Sequence, residues 1–475
     1  MMKKLKKKVA ITLVAALSMA MLTACGGKEV EKTNSNVTPT EAAAEATPTQ
    51  EVTPTSEPEP EMDLGGMEIT IGDWWSTGEA TPPTTAQEEA TQEYREMIQK
   101  KYNFKMTQIA VGDWDTYQEV LTTSIMAEDP AADVFIMAPN WVAQPLSNGL
   151  LYDLATLESF DFKESKWNPS VISTMTYGNS IYGMASGRAE PKLGVYWNKR
   201  LFEEAGLDPN LPYDLQASGD WTWEKFEELC KKLTIDNNND GIMDSYAMVS
   251  FSVDLFRGAV TSNDARFIGK DAQGKFYNGT QEPNWLEAMQ WAVGLISKGY
   301  EMPVPSPDAN WDWFISAFHD AKVAMQVGEQ YRTGTWEDMT DDFGFVLFPK
   351  GPKSEGYAAY FSDNIAVIPS CYDKETAEKI AFAYNLWTNP TPGYEEDADS
   401  WKDYYYTRFR DERAVDETLA MMYDGAIINN DYLQFVYGTS FGDIAWDTYA
   451  LGKTPAEKAE EISGTWEALL NDANK

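Results

Sequence analysis

Aromatic side chains at expected loop positions are the residues best suited to chemistry in this chain. They are Trp74, Trp75, Trp114, Trp141, Trp311, Trp313 and Tyr331. An indole face packs on the apolar C–H face of a sugar ring, while Asn, Asp, Glu and Arg side chains bond its hydroxyl rim. The set therefore suits a neutral, polyhydroxylated solute. The alternative is that each Trp is a core anchor, because Trp is usually mostly buried.

A polar segment further along the chain has the spacing of a calcium loop. Asp236, Asn238, Asp240 and Asp244 supply oxygen atoms at positions 1, 3, 5 and 9, with Gly241 at position 6 and the Ile242 carbonyl at position 7. Position 12 is Ala247, so the bidentate Glu of an EF-hand is missing. The pattern predicts a structural Ca²⁺ of weak affinity, and an Asx-rich turn is the alternative.

Catalytic arrangements have little support. The chain has 1 His, His319, on which neither a Ser-His-Asp triad nor a zinc cluster can be built. Carboxylate pairs such as Asp341 and Asp342 suit a glycosidase in principle. Among 75 acidic residues, however, proximity in sequence carries almost no information. The sequence favours a binding protein over an enzyme.

The first aromatic loops must be positioned by a sheet. Residues 67–71, 104–111 and 132–138 read as strands, and residues 85–101 and 114–127 between them read as helices. This alternation predicts right-handed βαβ crossovers and a parallel sheet. Ligands bind beyond the carboxyl ends of such strands. That rule points at Trp74, Trp75, Asp113, Trp114, Asn140 and Trp141.

Length and charge limit the classes of function. A chain of 475 residues with 43% hydrophobic residues and 17 Trp can bury more than one core, so we expect two lobes. The formal charge of −37 argues against nucleic acid as a partner, because a phosphate backbone demands a basic patch. Two Cys beyond the N-terminal region, Cys230 and Cys371, are expected to be buried thiols, and a disulfide between them stays open.

The N-terminus has the features of a bacterial lipoprotein. Lysines precede an apolar run from Val9 to Leu22, which is shorter than the roughly 20 residues needed to cross a bilayer. Residues 1–24 are therefore a predicted signal peptide. The following Leu22-Thr-Ala-Cys25-Gly resembles a lipobox, which implies lipidation of Cys25 and an extracytoplasmic, membrane-anchored protein. Residues 25–66 are rich in Thr, Pro and Glu and are expected to form a disordered tether.

A stretch near the middle of the chain carries a family resemblance. Tyr182-Gly183 and then Trp197-Asn-Lys-Arg-Leu-Phe-Glu-Glu-Ala-Gly-Leu207 match "Y-G-x-P" and "Y-N-K-x-L-F-x-x-A-G-L". These motifs resemble the crossover segment of extracellular solute-binding proteins of ABC importers, the sugar-binding family that includes the maltose-binding protein. Met184 stands where Pro is usual and Trp197 where Tyr is usual. With weaker motifs, the resemblance covers roughly residues 67–470.

The resemblance implies an α/β, periplasmic-binding-protein-like fold with two hinged lobes. Lobe 1 is expected to comprise residues 67–186 plus 349–395, and lobe 2 residues 187–348 plus 396–475. It places ligand contacts at Trp74, Trp75, Asn140, Trp141, Arg188, Glu190, Tyr331 and Ser440, and more loosely at Asp254. Trp114 and Trp311 join this set from the aromatic pattern. Arg188 and Glu190 have the alternative of a salt bridge with each other.

The expected function is that of a monomeric, lipid-anchored binding component that captures a carbohydrate, an oligosaccharide above all. It would deliver this ligand to the membrane subunits of an ABC permease. The alternatives are a cell-surface glycan-binding module and an extracellular glycoside-active enzyme. A peptide or charged-metabolite binder would need a basic pocket, which the aromatic loops do not suggest.

Overall fold

The computed structural model describes residues 62–77, 82–83, 85–236, 238–240, 243–395 and 401–475. The predicted signal peptide, Cys25 and nearly all of the predicted tether lie outside these ranges. Within them, no helix has the length and apolar character that a membrane crossing requires.

The first segment of the chain alternates strands and helices. Its elements are β1 (Met67–Asp73), α1 (Ala86–Tyr102), β2 (Phe104–Ala110), α2 (Tyr117–Met126), β3 (Val134–Met137), α3 (Ala143–Ser147), α4 (Pro169–Thr174), β4 (Thr176–Tyr177) and β5 (Ser180–Ile181). Helix α1 begins with a capping box between Thr85 and Glu88 and ends at Asn103, which adopts a left-handed conformation.

The middle segment builds most of a second unit. Its elements are β6 (Leu193–Asn198), α5 (Lys199–Glu204), α6 (Leu211–Ser218), α7 (Trp223–Leu233), β7 (Tyr246–Ser250), α8 (Ser252–Ser262), β8 (Ile268–Lys270), β9 (Phe276–Asn278), α9 (Pro283–Ser297), α10 (Trp313–His319), β10 (Val323–Glu329) and β11 (Phe343–Leu347). The side chains of Asn198 and Thr222 cap α5 and α7 by accepting the backbone N–H groups of Leu201 and Lys225.

The last segment of the chain contributes elements to both units. Its elements are β12 (Ala358–Ala359), β13 (Ile365–Val367), α11 (Lys374–Trp387), α12 (Trp401–Tyr406), α13 (Ala420–Asp424), β14 (Ile427–Ile428), α14 (Gly442–Tyr449) and α15 (Pro455–Ala473). A π-helical turn spans Ala414–Leu419.

Lobe 1 is built on a sheet of order β13-β3-β1-β2. Strand β1 pairs in parallel with β2 and with β3, as the βαβ pattern predicts, and β13 joins β3 in antiparallel. Helix α11 packs on this sheet with α1, and apolar residues such as Ile69, Val134 and Ile380 form the core between them. The carboxyl ends of β1, β2 and β3 therefore share one edge.

Lobe 2 is built on a sheet of order β11-β6-β10-β7. Strand β6 is antiparallel to β10 and β11, whereas β7 is parallel to β10. The core contains the fully buried Trp197, Trp221 and Trp285. The Trp197 indole N–H donates to the Pro209 carbonyl at 2.8 Å and that of Trp221 to the Leu347 carbonyl at 2.7 Å, so these two rings bury no unpaired donor, whereas the Trp285 N–H has no acceptor among the described residues.

Two segments that cross between the lobes pair with each other. Met184 and Ala366 exchange backbone hydrogen bonds of 2.9 and 2.7 Å, and the Lys192 N–H donates to the Tyr360 carbonyl at 2.9 Å. A third connection runs from α11 to α12. Short strands that cross side by side permit hinge bending while they keep the two sheet edges opposed. The two sheets, one with a single core cluster in lobe 2 and one with two core clusters in lobe 1, confirm the predicted α/β, two-lobed fold class.

The ends of the predicted lobe segments differ from the structure at two places. Residues 62–66 fold onto lobe 1, where the buried Leu64 donates its N–H to the Tyr102 carbonyl at 2.9 Å. The return segment, expected to leave lobe 2 at residue 349, stays there through Ala359. Gly351 donates to the Ser262 carbonyl at 2.9 Å, and β12 pairs with β14. Local sequence patterns do not indicate these contacts, because they join residues that are far apart in the chain.

We predict opposite effects of alanine at two glycines of lobe 2. A Cβ at Gly344, in β11, would fall within the indole of Trp197, so Gly344→Ala should lower the free energy of unfolding by about 1–3 kcal/mol. A Cβ at Gly294, inside α9, meets no atom within 4 Å. Gly294→Ala should therefore raise stability by roughly 0.5–1 kcal/mol. Urea unfolding of both variants checks this, and equal stability of the two would contradict the packing described.

Candidate functional site

A cavity of about 870 Å³ lies where the two sheet edges face each other. Its lobe 1 wall follows β1, β2 and β3, with Trp74, Trp114 and Asn140 at the respective strand ends. Its lobe 2 wall is formed at the end of β10 by Glu329 and Tyr331, and at the start of β6 by Lys192. Because β6 is antiparallel to β10, Leu193 pairs with Glu329, and the two strand ends meet at one edge. The remaining wall comes from the segment around Ser440.

The lobe 1 wall is a cluster of aromatic rings. The Trp74 and Trp114 centroids lie 5.6 Å apart, and Trp141 packs beneath them at 4.8 and 4.4 Å. Tyr117 stacks on Trp141 from the core side at 5.2 Å. Trp114 is 52% exposed and Trp141 only 6%. Trp74 and Trp114 therefore face the cavity, while Trp141 supports them from below.

The buried carboxylate of Asp73 fixes the turn that carries Trp74. One of its oxygens accepts the N–H groups of Trp75 and Ser76 at 3.0 and 2.8 Å, and the other accepts the Ser76 hydroxyl at 2.5 Å. The Gln108 amide donates to the second oxygen at 2.7 Å. Charge-assisted hydrogen bonds of this kind are stronger than neutral ones. The strand end is thereby rigid, which holds the indole in place before any ligand arrives.

Polar side chains complete the lobe 1 wall beside the indoles. Gln118, on α2, donates an amide N–H to the side-chain oxygen of Gln144 at 3.0 Å, and both residues line the cavity with Asn140. Amide groups both donate and accept hydrogen bonds, as hydroxyl groups do. This wall can therefore stack a ring and bond its rim.

The lobe 2 wall is richer in charge. Lys192 donates to the carboxylate of Glu190 at 2.5 Å, and Gln330 donates to the other oxygen of the same carboxylate. The Tyr331 ring lies beside the cations of Lys192 and Arg332, at 5.7 and 5.2 Å from its centroid. Burial and the nearby Glu329 raise the pKa of Tyr331, so its hydroxyl stays protonated and able to donate.

Arg257 supplies hydrogen-bond donors at the base of this wall. Its guanidinium lies 5.1 Å from the Tyr360 ring centroid and 5.4 Å from that of Phe441. In the part of the chain that the structure describes, no carboxylate lies within ion-pair distance of this guanidinium. A planar group with several N–H donors, held by rings and open to the cavity, can bond a hydroxyl or a carbonyl oxygen of a ligand.

A buried carboxyl group lies behind the lobe 2 wall. Asp254, in the first turn of α8, is buried, and its Oδ2 has no hydrogen-bond partner among the described residues. Burial raises the pKa of Asp254 to about 8, with a further increase from Glu329, against the opposing effect of Arg332 and Arg257. Asp254 therefore supports the wall from behind and does not line the cavity.

The structure brings together some of the predicted site residues. Trp74, Trp114, Asn140, Tyr331 and Ser440 line the cavity. Trp141 lies under the wall, and the half-exposed Trp75 packs its ring edge-on against Trp74 at 4.6 Å, outside the lining. Trp311 is 72% exposed on the loop before α10 and also lies outside it. Spacing in sequence could not separate a wall residue from its neighbours, because that depends on side-chain direction.

Arg188 and Glu190 do not pair with each other. Arg188 contacts Asp424 at 3.2 Å, and Glu190 contacts Lys192, because the crossing segment turns the two side chains toward different elements of lobe 2. Neither lines the cavity. The salt bridge that we considered between them is wrong, and Glu190 instead holds Lys192, which does line the cavity.

Sequence reasoning missed several lining residues: Gln118, Gln144, Lys192, Arg257, Glu329, Ser362, Asn364, Gln434 and Tyr437. Two of them had a usable signal, since Lys192 immediately precedes β6 and Glu329 ends β10. Gln118 and Gln144 lie on helices that follow the aromatic loops. The residues after 360 come from segments distant in sequence, so no local pattern marks them.

The predicted calcium loop lies partly outside the described residues, which exclude Asn237, Gly241 and Ile242. Asp240 donates its N–H to the Asn238 side chain at 2.8 Å, which is an Asx-turn contact. The described residues contain no group of three acidic, His or Cys side chains placed to hold a metal. Calcium binding by Asp236, Asn238, Asp240, Ile242 and Asp244 stays a prediction.

Other residues singled out by type lie away from the cleft. Cys230 and Cys371 are free thiols, and burial raises the pKa of both. His319 lies at the surface, with its ring nitrogens 3.0 Å from Asp320 and 3.1 Å from Asp338.

Comparison with known proteins identifies the fold and the kind of protein. The model of the family described as bacterial extracellular solute-binding protein matches residues 77–383. No curated protein sequence matches the chain significantly. The family match confirms the resemblance carried by the crossover motifs.

Solved structures with similar folds cover 86% of this chain. The cyclic α-maltosyl-1,6-maltose binding protein of Arthrobacter globiformis has a TM-score of 0.60 at 16% identity, with 86% of this chain and 100% of that chain covered. UgpB of Mycobacterium tuberculosis, in complex with glycerophosphocholine, has a TM-score of 0.59 at 16% identity, with 86% and 99% covered. The GacH receptor of Streptomyces glaucescens, also solved with acarbose, has a TM-score of 0.58 at 15% identity, with 86% and 99% covered. At these identities the similarity shows the fold alone.

Asp254 should make stability depend on pH. Its pKa is raised on folding from about 3.9 in the unfolded chain to about 8, so the native state holds the extra proton in this range. This contribution to stability is present below pH 4 and is lost as pH rises toward about 8. Asp254→Asn should remove this fall, and its melting temperature relative to wild type should be higher at pH 8 than at pH 5.

The matched comparison is Glu301→Gln, because burial raises the pKa of Glu301 to about 7 and its side chain, which accepts the Ser250 hydroxyl at 2.6 Å, is not part of the cavity lining. Glu301→Gln should also reduce the loss of stability with rising pH, but over a lower pH range than Asp254→Asn does. An Asp254→Asn protein whose melting temperature changes with pH as in wild type would show that this carboxyl is ionised when folded.

Proposed function

Because the chain belongs to the family of bacterial extracellular solute-binding proteins, we propose that it binds a carbohydrate between its lobes and delivers it to an ABC permease. The observation that carries the choice of ligand is the pair of cavity-facing indoles, Trp74 and Trp114, opposite hydrogen-bonding side chains of lobe 2. A sugar ring offers an apolar face and a hydroxyl rim, and the two walls match these two surfaces.

The chemistry of the two walls favours a neutral ligand. Lys192 is paired with the Glu190 carboxylate, and the remaining cation of the lining, Arg257, is matched in number by one carboxylate, Glu329, so the lining has no excess of either charge. A strongly acidic or basic solute would bring into the closing cleft a net charge that this balanced lining does not neutralise, which is costly. Hydroxyl groups accept from Arg257, Lys192 and Tyr331 and donate to Glu329 without such a cost.

Closure of the cleft is the proposed mechanism of capture. The crossing segments can bend while the sheets stay rigid, so a ligand that contacts both walls draws the lobes together. To convert a 1:99 mixture of closed and open forms to 99:1, the ligand must favour the closed form by roughly 5.5 kcal/mol. Stacking on lobe 1 with hydrogen bonds to lobe 2 provides this difference, because only the closed form makes both. The permease would recognise that closed form.

The N-terminal sequence supports a location for this activity on the outer side of the cell membrane. The signal peptide and lipobox predict a lipid on Cys25, and acyl chains of this kind bind a membrane through about 0.8 kcal/mol per buried CH₂. The Thr- and Pro-rich residues 25–61 would then tether the folded lobes outside the cell.

A thermal-shift screen of mono- and oligosaccharides tests the ligand class. A sugar present at 100 times its dissociation constant should add roughly 2.7 kcal/mol to stability and raise the melting temperature. Small-angle scattering with the same sugar should show a smaller radius of gyration. If no carbohydrate stabilises the protein while an ionic solute does, the ligand class is wrong. Sugar breakdown products in the same samples would instead indicate a glycoside-active enzyme.

Two tryptophans of the lobe 1 wall should respond differently to truncation. Trp114→Ala removes an exposed, cavity-facing ring and should weaken sugar binding at least tenfold, about 1.4 kcal/mol, with little change in stability. Trp141→Ala leaves a hole under the wall and should lower the free energy of unfolding by about 3–5 kcal/mol. Calorimetric titration and urea unfolding of both variants check this. Unchanged affinity in Trp114→Ala would remove this wall from the site.

A further inference from the structure

An aromatic path leaves the cavity along the surface of lobe 2. Phe251, which lines the cavity, has its ring centroid 6.4 Å from that of Trp446, in an edge-on arrangement. Trp446 is 57% exposed, on the first turns of α14. A cavity-lining ring is thereby continuous with a largely exposed indole outside the cavity.

The position of α14 also places Trp446 near the edge of the cavity. Helix α14 begins at Gly442, immediately after Ser440 and Phe441, which line the cavity. A Cβ at Gly442 would lie 3.3 Å from the Ser440 hydroxyl and 3.4 Å from Nε1 of Trp446. Both atoms lie near this one point, so the indole edge is on the side of α14 that carries the cavity-lining Ser440.

The Trp446 indole presents a ring face and an N–H donor at the protein surface. Among the residues that the structure describes, none accepts the hydrogen of the Trp446 N–H. A single exposed apolar residue needs no explanation on a protein surface. An exposed indole that continues the lining of a binding cavity, with a free donor at its edge, adds stacking area for whatever projects from that cavity.

We propose that Trp446 forms an outer subsite for the end of a carbohydrate chain that is longer than the cavity. The inner rings of the chain lie between the walls, and the chain leaves along Phe251 so that a terminal ring stacks on Trp446. The Trp446 N–H then donates to a ring hydroxyl. This inference rests on the proposed function and adds to it a preference for long chains over short ones.

Trp311 provides a matched control on the same lobe. It is 72% exposed, but its ring contact is with the buried Phe314, at 6.5 Å, which does not line the cavity. Residue type and lobe are thus the same, while direct contact with the cavity lining is missing. Trp311→Ala should leave binding of every chain length unchanged.

Calorimetric titration with length series tests the proposal. The probes are linear α-1,4-glucose, β-1,4-mannose and β-1,4-xylose oligomers, from disaccharide to heptasaccharide. Wild-type affinity should rise with length in the series that binds. Trp446→Ala should weaken binding of the longest chains about tenfold and leave the shortest unchanged, because only long chains reach the outer subsite. Trp446→Phe, which keeps a ring, should retain most of the affinity for long chains.

The possible outcomes separate the two proposals. If wild type binds short and long chains with equal affinity, or Trp446→Ala weakens all lengths equally, the outer subsite is wrong and the proposed function stands. Equal losses in Trp311→Ala and Trp446→Ala would also overturn the assignment to Trp446. If wild type binds no chain of any series, the proposed carbohydrate function fails together with the subsite.

Discussion

The antiparallel contact between the two crossing segments is the constraint on which the rest of this molecule depends. The Met184 and Ala366 hydrogen bonds, and that from Lys192 to Tyr360, set the carboxyl edge of one sheet opposite that of the other. Each edge alone carries only half of a site. Because the contact involves few residues, it fixes which surfaces face each other and still permits the angle between them to change.

The two walls contribute different interactions to binding: lobe 1 provides a stacking surface and lobe 2 provides hydrogen-bonding groups. On lobe 1, Asp73 locks a turn and Trp141 supports two indoles from below, so the stacking surface is rigid. On lobe 2, the Tyr331 ring lies beside the Arg332 cation and Lys192 is held by the Glu190 carboxylate, so their hydrogen-bonding groups are oriented before a ligand arrives. A rigid surface and oriented donors both reduce the entropy lost on binding.

The buried Asp254 carboxyl behind the lobe 2 wall lowers the stability of this lobe. A carboxyl buried with one oxygen unpaired, as in Asp254, is not what a core optimised for stability would contain. The nearby Glu329, Arg332 and Arg257 form with it a cluster of ionisable groups around the end of β10. Such clusters are common at functional sites, where a fixed electrostatic field matters more than the last increment of stability.

The family and the general architecture could be read from the sequence, because they depend on local patterns. Strand and helix periodicity predicted the parallel strands of lobe 1, and the segment from Trp197 to Leu207 carried the family resemblance. Aromatic residues directly after strands, such as Trp74 and Trp114, could be placed at the cavity, because the end of a parallel strand is a fixed position in the fold.

What the sequence determined by itself was which residues follow each strand and hence which could reach the sheet edge. Only the tertiary structure decided that Trp114 faces the cavity while Trp141 lies beneath it, that Glu190 pairs with Lys192, and that residues 62–66 and 350–359 belong to folded lobes. The physical reason is that burial and side-chain partners depend on contacts between segments far apart in the chain. Local periodicity contains no information about the distance between such segments.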